Sequence, residues 1–234
     1  TGCNEAFIIS TEKRKEILDN CQTEDERKRT AELIRPILRG RDIKRYGYEW
    51  AELWLIATFP SRHYNIDEYP AIKQYLLSFG IERLEQTGKT HIVNGEKVKA
   101  RKRTSNKWFE TQDSISYWED FSKPKVVYME IQTDNPEEGY PFPCYSYDDN
   151  RCIVLNTAYI MSSETTDPRY VLGILNSRLG KFLVKLYVIQ LQERQFRMLS
   201  QYVMNFPIAH PTKEQENEMR SEERRVGKEC SEPC

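Results

Sequence analysis

The chain has 234 residues, 38% hydrophobic and 30% charged, with 35 Lys and Arg against 36 Asp and Glu for a formal net charge of −1. That composition fits one sizeable globular core with room for a helical appendage, and it excludes a uniformly basic nucleic-acid coat, so any polyanion partner must be met by local patches. No apolar run approaches the roughly 18–20 residues that span a bilayer, and no signal peptide opens the sequence.

The six cysteines (Cys3, Cys21, Cys144, Cys152, Cys230 and Cys234) include no Cys-x-x-Cys pair and have no histidine at ligand spacing. This argues against a disulfide framework or a zinc site, and for the reducing cytoplasm. Thr1 rather than Met stands first, so we read the chain as a piece of a longer polypeptide.

Taken in order, Thr1–Ser10 ends in a short strand-like run, and Thr11–Arg29 reads as a charged helix or a pair of helical turns anchored by Ile17 and Leu18. Leu33–Tyr46 gathers Arg35, Arg39, Arg41, Lys44 and Arg45 around Leu33, Ile34, Ile37 and Leu38. Pro36 forbids a helix interior here, and Gly40 permits a tight turn between two arginines, which predicts a strand and turn. From Arg27 to Tyr46 eight cations face only Glu32 and Asp42. Such a concentration suits a phosphate-facing edge; the plainer alternative is a solvated face.

Trp50–Phe59 reads as a buried strand stopped by Pro60, and Ile66–Glu85 as an amphipathic helix that starts at Tyr69-Pro70 and that Gly80 closes or interrupts. Asn94-Gly95 predicts a hairpin turn. After it come Lys97, Lys99, Arg101, Lys102, Arg103 and Lys107 with no acid between them, then Trp108-Phe109-Glu110. A basic loop beside aromatics suits phosphate contact with a side chain or two in a groove, and a solvated loop is the open alternative. Lys125–Ile131 and Ile153–Met161 read as strands, with Tyr140–Asn150 a Pro- and Tyr-rich loop between them. Asp167-Pro168 opens a helix whose stripe of Val171, Leu172, Leu175, Leu179, Phe182, Leu183, Leu186 and Tyr187 reads as core. Leu199–Pro207 closes the fold, and Ser221–Cys234, with almost no apolar periodicity, reads as a disordered non-native tail.

Pro36-Ile37-Leu38-Arg39-Gly40-Arg41-Asp42-Ile43-Lys44-Arg45-Tyr46, followed by Trp54-Leu55-Ile56, resembles the opening of the TaqI-like target-recognition domain. That domain sits behind the adenine-methyltransferase domain of fused, type IIG-like restriction–modification enzymes. Shorter phrases resemble the same family: Thr1-Gly2-Cys3-Asn4-Glu5-Ala6-Phe7, Trp108-Phe109-Glu110 ahead of Pro124-Lys125-Val126, Asn156-Thr157, and Leu175-Asn176-Ser177. Pro211-Thr212-Lys213-Glu214-Gln215 is similar to the start of the spacer helix in type I specificity subunits.

The resemblance implies a mixed α/β (α+β) fold of small, twisted, mostly antiparallel sheets with flanking helices and a C-terminal amphipathic helix. It places a lead-in at 1–26, a DNA target-recognition domain at 27–212 that includes the helix 167–187, and a truncated spacer helix with the tail at 213–234. It implies double-stranded DNA as ligand, and methyltransferase and nuclease domains of the same polypeptide as partners. The adjoining methyltransferase domain flips the adenine. Within the family motif Asp42 would pair with Arg39 or Arg41 and orient the basic strand.

No catalytic residue and no metal ligand stands out in the chain itself. The Gly-rich loop for S-adenosylmethionine is absent, and so is an Asp/Asn/Ser-Pro-Pro-aromatic turn; Asp134-Asn135-Pro136 continues with Glu137. S-Adenosylmethionine and Mg²⁺ are therefore expected only of the parent enzyme. Asp42-Ile43-Lys44 supplies half of a nuclease motif without the upstream carboxylate.

We expect Arg35, Arg39, Arg41, Lys44 and Arg45 at the DNA backbone, and Arg101, Arg103, Asn106 and Gln112 as base readers. Two other classes remain open: an interaction module that dimerises through its C-terminal helix, and a stand-alone nuclease.

Overall fold

The computed structural model describes residues 2–135, 137 and 141–218. The chain divides into two compact units, one formed by the residues up to Ile37 with Glu52–Trp118, the other by Leu38–Ala51 and the chain from Glu119 onward.

The first unit begins with α1 (Asn4–Phe7), β1 (Ile8–Ser10), α2 (Thr11–Asp19) and α3 (Glu24–Leu33), followed by β2 (Ile34–Leu38) and β3 (Leu53–Ile56). The expected charged helix is two helices because the sequence supplies two caps. Ser10 accepts a bond from the Lys13 N–H, and Thr23 accepts one from the Glu26 N–H. Glu26 is buried, and its carboxylate accepts from the Gln22 N–H at 2.9 Å and the Ala71 N–H at 3.0 Å. Strand β3 pairs antiparallel with both neighbours, Ile9 opposite Trp54 and Arg35 opposite Leu55.

The strand expected over 50–59 is shorter than its apolar run. Thr58 has left the ladder, and its hydroxyl donates to the Phe109 carbonyl at 2.6 Å. The helix expected over 66–85 is divided into α4 (Pro70–Leu77) and α5 (Ile81–Leu84). Gly80 sits between them at φ +83°, a conformation costly for any residue with a Cβ. Strands β4 (Thr90–Val93) and β5 (Glu96–Lys99) then form a hairpin about Asn94 and Gly95, both at positive φ as a type I′ turn requires.

The second unit holds β6 (Lys125–Met129), β7 (Ile131–Thr133), β8 (Tyr145–Asp148), β9 (Ile153–Val154) and β10 (Ala158–Met161). It continues with α6 (Pro168–Leu175), α7 (Arg178–Tyr187), β11 (Gln190–Gln192), β12 (Gln195–Arg197) and α8 (Ser200–Val203). Two three-stranded sheets result, ordered β10-β6-β8 and β11-β12-β7, with every pairing antiparallel. The architecture is the mixed α/β arrangement of small antiparallel sheets expected from the sequence. Tyr128, Tyr145, Leu172, Leu175, Val184, Met198 and Phe206 share its main core cluster. At the start of β6, the fully buried Lys125 pairs with Asp148 and donates to the Phe121 carbonyl at 2.8 Å.

Three expectations change here. The described part of 140–150 is no simple loop, since β8 runs through it as an edge of the β6 sheet. The strand expected over 153–161 is split at Asn156-Thr157 into β9 and β10.

The helix expected over 167–187 is also two. Ser177 accepts from the Leu179 and Gly180 N–H groups, capping α7 and ending α6. Gly180 lets α7 leave past α6, since a Cβ there would stand 2.0 Å from the Leu175 carbonyl oxygen. Rotated by this break, α7 buries Leu183 and Val184 but exposes Leu179, Phe182, Leu186 and Tyr187, so only part of the apolar stripe is core. The tail expected over 221–234 lies outside the described residues.

Candidate nucleic-acid interface

The basic turn of the second unit grows out of the end of β2. Arg39 leads into a single 3-10 turn, Gly40–Asp42. The Arg39 guanidinium grips the Asp42 carboxylate, Nη2 to Oδ1 at 2.7 Å and Nε to Oδ2 at 3.0 Å, while the Arg39 N–H donates to Oδ2 at 2.9 Å. Asp42 is buried, which works to raise its pKa, yet the Arg39 side-chain and backbone bonds outweigh burial and hold it below the usual carboxylate range.

Gly40 is required for closeness rather than for φ. A Cβ there would come 3.1 Å from the Thr157 carbonyl oxygen, and the Gly40 N–H donates to the Thr157 hydroxyl. Lys44 reaches Glu49 at 3.5 Å. Arg45 donates to the Asn176 carbonyl and lies over the Tyr46 ring. Asn176 is fully buried and clamps β8, its amide donating to the Tyr145 carbonyl and its oxygen accepting from the Tyr145 N–H, both at 2.9 Å.

Of the five cations expected at the DNA backbone, Arg35 is buried and Arg39 and Lys44 are half-buried, while Arg45 is exposed but bonded to a main-chain carbonyl and Arg41 is exposed without a side-chain hydrogen bond or ion pair among the described residues. Arg35 is the clearest correction. It belongs to the first unit, is only 6% exposed, and lies over the Trp118 ring at 5.4 Å. A phosphate cannot reach it without displacing that contact.

The second basic segment lies wholly in the first unit. Here Arg101 is the surprise. It is buried, with Nε donating to the Leu84 carbonyl at 2.6 Å, Nη1 to Glu110 at 2.8 Å and Nη2 to Trp108 at 2.6 Å. Burial pushes its pKa down to about 10, against the pull of Cys3 and Glu110. Arg101 holds the loop together instead of reading bases.

Asn106 is likewise engaged, its amide donating to the Thr111 and Gln112 carbonyls at 3.3 and 2.9 Å. Gln86 bonds Lys107, Glu110 and Thr104, and Glu110 accepts from the Lys107 N–H at 2.7 Å. The segment 101–112 is thus a knitted loop, not a floppy one. Gln112 is half-buried, and its oxygen crowds Gly2. Arg103 is exposed, as are Lys89, Lys97, Lys99, Lys102 and Lys107. Lys89, Lys97, Lys99, Lys102 and Arg103 form no ion pair among the described residues. Arg103, expected as a base reader, is thus exposed among the lysines of the basic segment, and Lys89 is the cation of this group that sequence reasoning left out.

Other chemistry is sparse. Asp134, which resembled part of a methyltransferase turn, pairs with Lys181 at 2.6 Å and Lys185 at 2.8 Å; Pro136 of that phrase lies outside the described residues. Asp42-Ile43-Lys44 offers no open carboxylate, since Asp42 is already committed to Arg39. Among the described residues no group of three or more His, Cys, Asp and Glu could hold a metal ion, and no helix is long and apolar enough to cross a membrane.

The family model of the TaqI-like C-terminal specificity domain matches residues 35–208. That is most of the chain, and the protein belongs to this family. No curated protein matches the chain.

Proposed function

We propose that the chain is the DNA target-recognition domain of a restriction–modification enzyme, acting in the cytoplasm. It grips duplex DNA and positions it for adenine-N6 methylation and cleavage by other domains of the same polypeptide. Those domains would bind S-adenosylmethionine and Mg²⁺; this chain contributes recognition without catalysis. The recognition domain runs over 27–212, preceded by a lead-in at 1–26 and followed at 213–234 by the start of a spacer helix and its tail.

The observation that carries the reading, beside the family match over 35–208, is the run of exposed cations without ion-pair partners between Lys89 and Arg103. Cations left without acidic partners in a chain of net charge −1 supply a local field for a polyanion. A fluorescence-anisotropy titration of the chain against mixed-sequence duplexes near 50 mM salt tests it directly. Salt-sensitive binding supports the reading, and no binding at that salt counts against it.

A second reading, a module that self-associates through its C-terminal helix, has one observation in its favour. Phe182 is 60% exposed and Leu186 62%, one turn apart on α7. It predicts a stable dimer by light scattering that Phe182→Ser with Leu186→Ser dissolves.

A further inference from the structure

The hairpin β4–β5 is an arm built without a core. No residue from 87 to 99 is buried, although Ala100 and Arg101 immediately after it are. A lone two-stranded hairpin is marginal in water, so this one depends on its stem. The stem is well made. The ladder continues past the strands through Ala100 N–H to the Lys89 carbonyl at 2.9 Å and Gly88 N–H to the Arg101 carbonyl at 2.8 Å, and Arg101 N–H donates to Glu85 at 3.0 Å. The three carbonyl bonds of the Arg101 guanidinium fix that stem to the body of the unit.

The register sorts the side chains. Thr90 faces Lys99 and Ile92 faces Lys97 on one side of the ribbon; His91 faces Val98 and Val93 faces Glu96 on the other. The second side is the half-covered one, with His91 against Glu85. The first side is fully open. It presents one isoleucine, 76% exposed and the most exposed large apolar side chain among the described residues, flanked by a threonine and two unpaired lysines. Behind it, at the stem, stand Lys102 and Arg103. A folded arm that hides nothing and carries an isolated apolar tip among cations is shaped for a surface both negatively charged and locally apolar.

We propose that the β4–β5 ribbon enters the DNA major groove with Thr90, Ile92, Lys97 and Lys99 toward the bases, and that Ile92 reads a thymine 5-methyl group. This rests on the target-recognition reading above and adds the reading element. The dimensions agree: a two-stranded ribbon fits a groove about 12 Å wide, and four residues of strand advance about 13 Å along it. The chemistry agrees as well, because the thymine methyl is the one apolar mark the major groove displays. Lys97 and Lys99 neutralise the charge that the ribbon meets on entering, and Lys102 and Arg103 meet the phosphates at the groove lip.

The test starts from a random-sequence duplex library selected on the full chain. An enriched duplex is then remade with each thymine replaced in turn by deoxyuridine, which removes the methyl and keeps the pairing. One replacement is expected to weaken wild-type binding by about fourfold or more, the worth of one buried methyl. The Ile92→Ala chain, whose exposed substitution leaves the fold intact, should bind both duplexes alike, and Lys97→Gln with Lys99→Gln should weaken both equally. Should every thymine be replaceable without effect, or should Ile92→Ala keep the wild-type sensitivity, the ribbon is not the reader while DNA recognition stands. If no duplex is enriched and no salt-dependent binding is seen, the recognition reading fails and takes this inference with it.

Discussion

Asp42 shows how one residue of a basic turn is held for folding rather than for chemistry. Its carboxylate accepts four hydrogen bonds from Arg39, one from the main-chain N–H and three from the guanidinium, and is buried. Asp42→Asn should therefore cost about 1–3 kcal/mol of stability in denaturant unfolding, because the bonds to a charged partner are lost while the site stays buried. The pH dependence has a definite sign. The folded-state pKa lies below the unfolded one, so the folded protein binds fewer protons. Its contribution is complete above the unfolded carboxylate value of about 3.9 and drains away as pH falls through the folded value. Thermal melts from pH 6 to pH 3 should show a shallower acid loss for Asp42→Asn than for the wild type; parallel curves would contradict the pairing.

Arg101 is the complementary case. Removing it leaves the Leu84 and Trp108 carbonyls without the donors they now have and the Glu110 carbonyl with the Gln86 amide alone, so Arg101→Ala should destabilise by about 2–4 kcal/mol. Arg103→Ala, at an exposed position two residues on, should leave the unfolding midpoint unchanged. The Arg39–Asp42 pair was legible in the sequence because its partners are three residues apart inside the family motif. Arg101 was not, because its partners are main-chain carbonyls that only the folded loop brings together, and an arginine in a basic run looks like all the others. Lys125 and Asp148 escaped notice for a related reason, being 23 residues apart and on neighbouring strands.

Among the elements, periodicity located the secondary structure well and its breaks less well. The Asn94-Gly95 turn, the Asp167-Pro168 helix start and the two-part helix after Ser10 follow from local chemistry that needs no tertiary partner. The break at Asn176-Ser177 carries the same kind of signal, a cap residue with a glycine three positions on, but an unbroken apolar stripe concealed it. Its consequence is physical: the break turns Leu179, Phe182 and Leu186 outward. Gly180→Ala should destabilise by about 2–4 kcal/mol, because the new Cβ would overlap the Leu175 carbonyl that it must pass. Circular dichroism melts measure it, and a neutral result would contradict this crossing of α6 and α7. Phe182→Ser should instead leave the melt unchanged, since Phe182 is mostly in solvent already.

For the molecule as a whole, net charge was a poor guide and its distribution a good one. A total of −1 hides a first unit whose arm and loop carry unpaired cations and a second unit whose basic turn is mostly paired internally. Counting cations along the chain gave the two segments similar weight. Only the fold separates charges that hold the protein together from charges left for a partner, because that separation depends on which carbonyls and carboxylates each side chain can reach. The direct measurement is the salt dependence of duplex binding by the 234-residue chain, followed by anisotropy from 50 to 200 mM salt. Log affinity should fall linearly with log salt, and Lys97→Gln, Lys99→Gln, Lys102→Gln and Arg103→Gln should each flatten the slope by about 0.9. An unchanged slope in all four variants, or no binding at 50 mM salt, would contradict a DNA-gripping role for this surface.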